Sequence, residues 1–409
     1  MRRNWKMIVG CFLVLVMVAV PFVGVSCGGG GGEGVTITLG EIDDFTGPAG
    51  AYMSVLSYGM DDMIRYYNEQ GLIPGVKIKL IRYDTALNPS RDIPGYDWLK
   101  ERGAKVIVIG IISPGETLKP FSERDKMPLC DLGTTLPMFN PPGWSFCFNA
   151  PIRWNLMTCL KWVSEEQWDY SNGIPKLGQI GWVGPFATDA ENAIKDYCQS
   201  HPDQYQYVGS YLAPSGTVTW SGEIQKVKDC DIIYPGMMSI ETSTFLTQFW
   251  GKGYEAQLIG DSSIAAYKGF LADSLGWEHL DGYLSTETVP WWNEPVPIIE
   301  LIKDNLYKYR PEQAEEFINF GSTYKGGAYS MYAILDIVRL AVEEVGAKDF
   351  DGQAFYNAAV KYKTTLEGCP EWSFSETKRV LSLYNQGYEW SAEAKDLVRA
   401  TDWMPSLTE

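Results

Sequence analysis

Val106, Ile107, Val108 and Ile109 form an unbroken apolar run that ends at Gly110. A strand with one wet face alternates apolar and polar residues. A continuous aliphatic run marks a strand covered on both faces, the condition of a parallel sheet between two helical layers. The neighbouring segments supply the other parts of such a layered unit. Val35, Ile37 and Leu39 alternate with Thr36 and Thr38, which predicts a strand. Leu56, Met60, Met63, Ile64 and Tyr67 fall on one face of a helix that Gly71 ends, and Pro74-Gly75 makes a turn. A second strand follows at Val76–Tyr83, then a helix opened by Asn88 and Pro89, and a short strand at Pro128–Leu132.

The alternation restarts after Ala150. A helix is predicted at about 153–168 and strands near 177–183, 207–212, 231–234 and 257–260. Helices fall between them near 187–200, 220–228 and 243–251. Two successive β-α-β-α series predict two doubly wound, Rossmann-like α/β lobes. A helical block at 297–363 covers a face of one sheet, and 371–384 reads as a hairpin or an extended crossover. Three crossings between the lobes, a three-strand hinge, are expected near 149–153, 286–292 and 368–374. The division is then 36–150 plus 289–369 for lobe 1 and 151–288 plus 370–409 for lobe 2.

Ahead of the lobes, residues 1–6 carry Arg2, Arg3 and Lys6, residues 7–26 carry no charge, and Cys27 precedes a run of glycines from Gly28 to Gly32. A basic start, an apolar run and a small residue before a cleavage point make an export signal. With Cys27 at the junction and Ser26 before it, the segment resembles the bacterial lipoprotein signal, although Gly24 stands where an aliphatic residue is usual. That resemblance implies a signal peptide over 1–27 ending at a lipidated Cys27, then a flexible Gly-rich linker over 28–35. The run is also long enough to stay uncleaved as a membrane helix. Both readings put the rest of the chain outside the cytoplasm.

Charge and composition remove several function classes. The chain holds 34 Lys+Arg against 51 Asp+Glu, a net charge of −17. Loss of residues 1–26 removes three bases and no acid, which moves the charge to −20. Nucleic acid needs a basic stripe, so it is not the partner. Two histidines, His201 and His279, exclude a His-rich metal site, and no C-x-x-C pair, P-loop, G-x-S-x-G elbow or H-E-x-x-H is present. The carboxylate pairs Asp43-Asp44 and Glu165-Glu166 are adjacent in sequence, and adjacent side chains rarely face one site.

Ligands of open parallel sheets gather at the carboxyl ends of the strands. The segments placed there include Asp43–Tyr52, Ile112–Thr117, Gly133-Thr134-Thr135, Gly184–Phe186, Gly236–Ser239 and Asp261–Ser263. Ser113–Thr117 and Gly133–Thr135 combine hydroxyls with helix starts, which suits either anion binding or helix capping.

These segments carry an ordered likeness: Thr46-Gly47-Pro48 with Tyr52, Gly59, the turn Asn68–Gly75, Asp84 with Pro89, Ile109-Gly110, Gly133-Thr134-Thr135, Gly236, Gly260-Asp261 and Gly282-Tyr283. In that order they resemble the leucine/isoleucine/valine-binding family of periplasmic solute receptors, which feed ABC importers. The resemblance implies two lobes closing on a solute, with no cofactor, no metal and no catalysis. It places Ser113, Gly115, Glu116, Thr117, Gly133, Thr134 and Thr135 around a ligand carboxylate, Tyr52 over one side of the ligand, and Met238 in the cleft. Phe186 stands where many relatives have Tyr, and Ser262 where amino-acid binders place an acid for the ligand ammonium, with Asp261 one residue away.

The solute expected is therefore a small carboxylate-bearing or amide organic molecule, amino-acid-like or aromatic. The partners expected are permease subunits and, through the lipid anchor, the membrane, for a receptor that acts as a monomer. A flytrap sensor working with a separate signalling protein, or an extracellular hydrolase, are the other functions considered. Trp182, Trp291 and Trp292 are candidate cleft walls or packing residues. Six cysteines beyond Cys27 allow up to three disulfides, Cys198 with Cys230 among them, or buried free thiols.

Overall fold

A computed structural model describes residues 34–133 and 135–408. The export segment, Cys27, the glycine run and Thr134 lie outside the described residues.

The first half builds β1 (Val35–Asp43), α1 (Gly50–Gln70), β2 (Val76–Asp84), α2 (Asp92–Glu101), β3 (Ala104–Ile109), α3 (Ile112–Asp125), β4 (Leu129–Asp131) and β5 (Ser145–Cys147). Their sheet is parallel throughout, in the order β2-β1-β3-β4-β5. Val106 to Ile109 are fully buried at its centre, as the apolar run requires.

The second half builds α4 (Ile152–Trp162), β6 (Lys176–Trp182), α5 (Pro185–Ser200), β7 (Gln206–Ala213), α6 (Ser221–Val227), β8 (Ile232–Gly236), α7 (Ser239–Trp250), β9 (Gln257–Gly260) and α8 (Ser262–Ala265). Short helices α9 (Lys268–Leu275) and α10 (Trp277–Leu280) lead to β10 (Leu284–Glu287). Then come α11 (Pro297–Tyr309), α12 (Ala314–Phe320), α13 (Thr323–Val345), α14 (Gly352–Ala359), and strands β11 (Lys363–Thr365), β12 (Glu371–Ser373), β13 (Tyr384–Ser391) and β14 (Asp396–Arg399). The second sheet runs β14-β13-β10-β9-β8-β6-β7, parallel from β7 to β10 and antiparallel at β13 and β14.

Both sheets reverse direction of winding beside their first strand, between β1 and β3 and between β6 and β8. A doubly wound sheet opens a crevice at that switch point. Residues 371–381, read above as the third crossing and the start of the second lobe, run along the first sheet instead. Val380 pairs with Cys147 of edge strand β5, and Trp372 packs edge-on to Tyr329 of α13. Side chains tie together the passages between the sheets. Thr286 donates to Asn155, Asn155 donates to Asn385 at 3.2 Å, and Thr288 donates to Asn149.

Helix α13 of the late helical block crosses α1 at close range. Helices α1 and α13 meet at glycines: a Cβ on Gly59 would lie 2.2 Å from the Tyr324 carbonyl oxygen, and one on Gly327 2.1 Å from that of Leu56. Among the described residues all six cysteines are free and buried. Cys198 and Cys230 do not pair, because they sit in separate apolar clusters: Cys198 packs with Cys159 and Ile194, Cys230 with Val227 and Trp220. No helix of the described residues is long and apolar enough to cross a membrane.

Gly59→Ala is expected to cost about 1–3 kcal/mol, since a backbone carbonyl blocks the added methyl. Urea unfolding followed by circular dichroism reads that loss. An unchanged midpoint would show that the two helices separate freely.

Candidate ligand-binding site

The crevices of the two sheets face one cavity of about 340 Å³. That volume suits a small molecule rather than a polymer. The first sheet contributes the start of α1, with Tyr52, Met53 and Leu56, and the strand ends Gly110-Ile111 and Leu132-Gly133. The second contributes Trp182-Val183 and Phe186 after β6, Met237-Met238 after β8, and Asp261-Ser262-Ser263 after β9. The lining is thus a set of strand ends, and most of its side chains are apolar or aromatic.

Several polar groups at the rim are already satisfied by the protein. The Asp43 carboxylate accepts from the Gly110 N–H at 2.9 and 3.1 Å, and the Ile111 N–H bonds to it as well. Burial and then the nearby Glu41 push the Asp43 pKa well above the usual carboxylate range, while these N–H bonds pull it down. Asp261 caps α8, accepting from the Ser263 N–H at 2.6 Å and from the Tyr234 hydroxyl. Burial raises its pKa and those bonds lower it. Tyr52 is held neutral by burial, then by the charge of Glu287.

The cavity floor carries a buried ion pair, Glu287 on β10 and Lys325 in the first turn of α13. Lys325 Nζ donates to the Pro290 carbonyl at 2.8 Å and lies 3.8 Å from Glu287 Oε2. Its ammonium also sits 4.5 Å from the centre of the Trp291 ring. Burial pushes Glu287 up to about 8, with Lys325 opposing, and burial pulls Lys325 down to about 8, with Glu287 opposing. Glu287 Oε1 is buried and has no hydrogen-bond partner among the described residues.

The residues singled out from the sequence divide into two groups. Tyr52, Gly133, Phe186, Met238, Asp261 and Ser262 line the cavity together, with Trp182. Gly115, Glu116, Thr117 and Thr135 are not among its lining residues. Helix α3 begins at Ile112, so residues 115–117 lie a turn beyond its first N–H groups. Gly115 packs against Met138 and Asp131, where a Cβ would come within 2.8 and 2.9 Å. Thr117 faces the buried Asp92 carboxyl, and Thr135 is buried and donates to Glu116. Thr134 and the Ser113 side chain lie outside the described residues. Trp291 and Trp292 are packing residues, fully buried against Tyr388 and Tyr324.

Sequence reasoning missed Glu287 and Lys325. Their signal was present but weak: an acid closing a fully buried strand, and the one lysine of a 23-residue, largely apolar helix. Among the described residues no group of three or more His, Cys, Asp or Glu could hold a metal ion.

The family described as "Periplasmic binding protein" matches residues 36–383. No curated protein matches the chain. Among solved structures, a branched-chain amino acid ABC transporter protein from Thermus thermophilus with bound valine is similar at a TM-score of 0.79 and 17% identity, over 91% of this chain and 97% of that one. A fatty acid ABC transporter substrate-binding protein from Thermomonospora curvata is similar at 0.78 and 14% identity, over 91% and 93%. A solute-binding protein of an ABC transporter from R. palustris, in complex with 4-hydroxybenzoate, is similar at 0.75 and 17% identity, over 91% and 97%. At these identities the likeness is one of fold.

Lys325→Met removes the only charge that lowers the Glu287 pKa. An acid whose folded pKa is raised contributes stability below its unfolded pKa and loses it as pH climbs through the folded value. The variant is therefore expected to melt below the parent by more at pH 9 than at pH 5.5, the difference opening as pH climbs through the parent's folded value of about 8. Adding Glu287→Gln should recover most of the loss. Scanning calorimetry at the two pH values checks both. An equal deficit at both would mean that the pair is not electrostatically coupled.

Proposed function

This chain belongs to the periplasmic binding protein family, and we propose that it is the extracytoplasmic solute receptor of an ABC importer, clamping one small organic molecule between its two lobes. The observation that carries the reading is the single cavity shared by both switch points. Its walls come from two sheets joined by narrow passages, so the lobes can part and close around a bound solute. The reading is of a binding protein, not an enzyme, and of a monomer. Its partners are the membrane permease subunits that receive the solute. The relatives of known structure bind valine, 4-hydroxybenzoate or, by name, fatty acid. These share an apolar body, and the lining by Met53, Leu56, Leu132, Trp182, Phe186 and Met238 supports an apolar body here too.

The hinge in this reading consists of the passages around 149–153, 286–292 and the segment entering β13, with 36–150 and most of 289–381 in lobe 1. Lipid attachment at Cys27 holds the receptor at the membrane, which the apolar run before it and the glycine linker after it support.

Two outcomes are expected. A cognate solute at 100 times its Kd should stabilise the protein by ~2.7 kcal/mol. Trp182→Ala should weaken binding by roughly 1–3 kcal/mol through lost apolar contact. Calorimetric titration with a solute found by thermal-shift screening reads both, and a Trp182→Ala variant of full affinity would remove the cavity from the reading. Separately, Cys27→Ala should move the protein out of the membrane fraction. Retention of an uncleaved chain there would favour a helical anchor.

A further inference from the structure

We infer that Leu87 is a specificity-determining residue of the cleft, held at the cavity to touch the apolar body of the solute. This rests on the receptor reading above and deepens it.

Leu87 follows β2, the outer strand of the first sheet, and is the one residue of the connection from β2 to α2 in the cavity lining. The backbone there lies in the left-handed region at two successive residues, with φ of +50° at Ala86 and +53° at Leu87. A Cβ crowds the backbone in that region, and Gly, Asn or Asp are its usual occupants. The other non-glycine residues of positive φ among the described residues are Lys126 and Lys395. Both are exposed and stand singly, one ending α3 and the other turning β13 into β14.

The turn is pinned from several sides. The Ala86 N–H donates to Asp84 Oδ1 at 2.9 Å, the Thr85 N–H to the Asp43 carbonyl at 2.8 Å, and the Asn88 N–H to the Thr85 carbonyl at 3.0 Å. The loop before α1 packs so closely that a Cβ on Gly47 would lie 2.8 Å from the Ala86 carbonyl oxygen. Neighbours thus hold the backbone in a conformation that its own residues oppose. Such conflicts cluster at ligand sites.

Core packing does not account for the leucine. Its side chain is half-buried and belongs to none of the three apolar clusters of the described residues. Met53, Leu56 and Leu132, which share the lining, are by contrast part of an apolar core. An apolar side chain that sits on a strained backbone, joins no core and lines the cavity has the solute as its remaining partner. Substitution at Leu87 should therefore change which apolar bodies bind, with little effect on folding.

The first measurement needs no ligand. Leu87→Asn supplies a residue that tolerates the left-handed backbone, so it should melt at or above the parent in scanning calorimetry. A melting temperature several degrees below the parent would make Leu87 a packing residue and overturn the inference. The second measurement is calorimetric titration of the full chain with L-valine, L-phenylalanine, 4-hydroxybenzoate and hexanoate. The probe that binds the parent most tightly should bind Leu87→Asn about tenfold more weakly. Ala86→Gly relaxes the same turn, leaves the lining side chain in place, and should bind that probe as the parent does. Unchanged affinity in Leu87→Asn removes the inference and leaves the receptor reading standing. An equal loss in both variants traces the effect to the turn rather than to the leucine, and overturns the inference as well. If none of the four probes binds the parent, the receptor reading and the inference fall together.

Discussion

Helices α1 and α13 cross backbone to backbone, with Gly59 against the Tyr324 carbonyl and Gly327 against that of Leu56. Much of the cleft follows from this contact. It joins segments more than 260 residues apart in sequence and sets the start of α1 beside the start of α13. Tyr52, Met53 and Leu56 come from one helix, Thr323, Lys325 and Ser330 from the other, and all line the same cavity. Any side chain at either glycine would part the helices and move these two groups together. The dense packing of interiors makes such a shift costly, so the crossing acts as a fixed bracket for the first lobe's half of the site.

The bracket also explains how a lysine comes to be buried beneath the cleft. A buried ammonium is tolerated where a carboxylate and carbonyl oxygens meet it. Strand β10 supplies Glu287, and the chain just beyond it supplies the carbonyls of Val289 and Pro290. These groups belong to the passage from the second sheet back to the helical block. The pair therefore lies on that passage, among the residues that line the shared cavity. Elsewhere the acidic chain disposes of its charges locally. Asp43 takes up backbone N–H groups, Asp261 caps a helix, and Asp62 receives Arg310 at 2.6 Å.

Much of the frame was legible in the sequence. Val106–Ile109 is a central strand because its apolar run has no other economical location, and β1, α1 and β2 lie where alternation and helical periodicity put them. Local patterns encode such elements directly, since each reports only which of its faces is covered. The cavity residues at strand ends, Tyr52, Gly133, Phe186, Met238, Asp261 and Ser262, were found for the same reason: their position depends on the end of a strand and little else. Residues 115–117 were placed in the site by analogy of order along the chain. In the structure they lie a turn inside α3, with Gly115 against Met138, Glu116 accepting from Thr135 and Thr117 facing Asp92.

By itself, then, the sequence determined two doubly wound α/β lobes, the strand ends that face one another, and an acidic chain without metal-site motifs. Periodicity and turn chemistry act over a few residues, and a single chain displays them. Tertiary structure alone decided the floor of the cleft. Glu287 and Lys325 meet only after β10 has joined the second sheet and α13 has locked onto α1, and Asp43 reaches Gly110 only through the β1–β3 pairing. Which hydrogen-bonding groups remain open to a ligand depends on those long-range pairings, because each group's availability is set by the neighbour that satisfies it first.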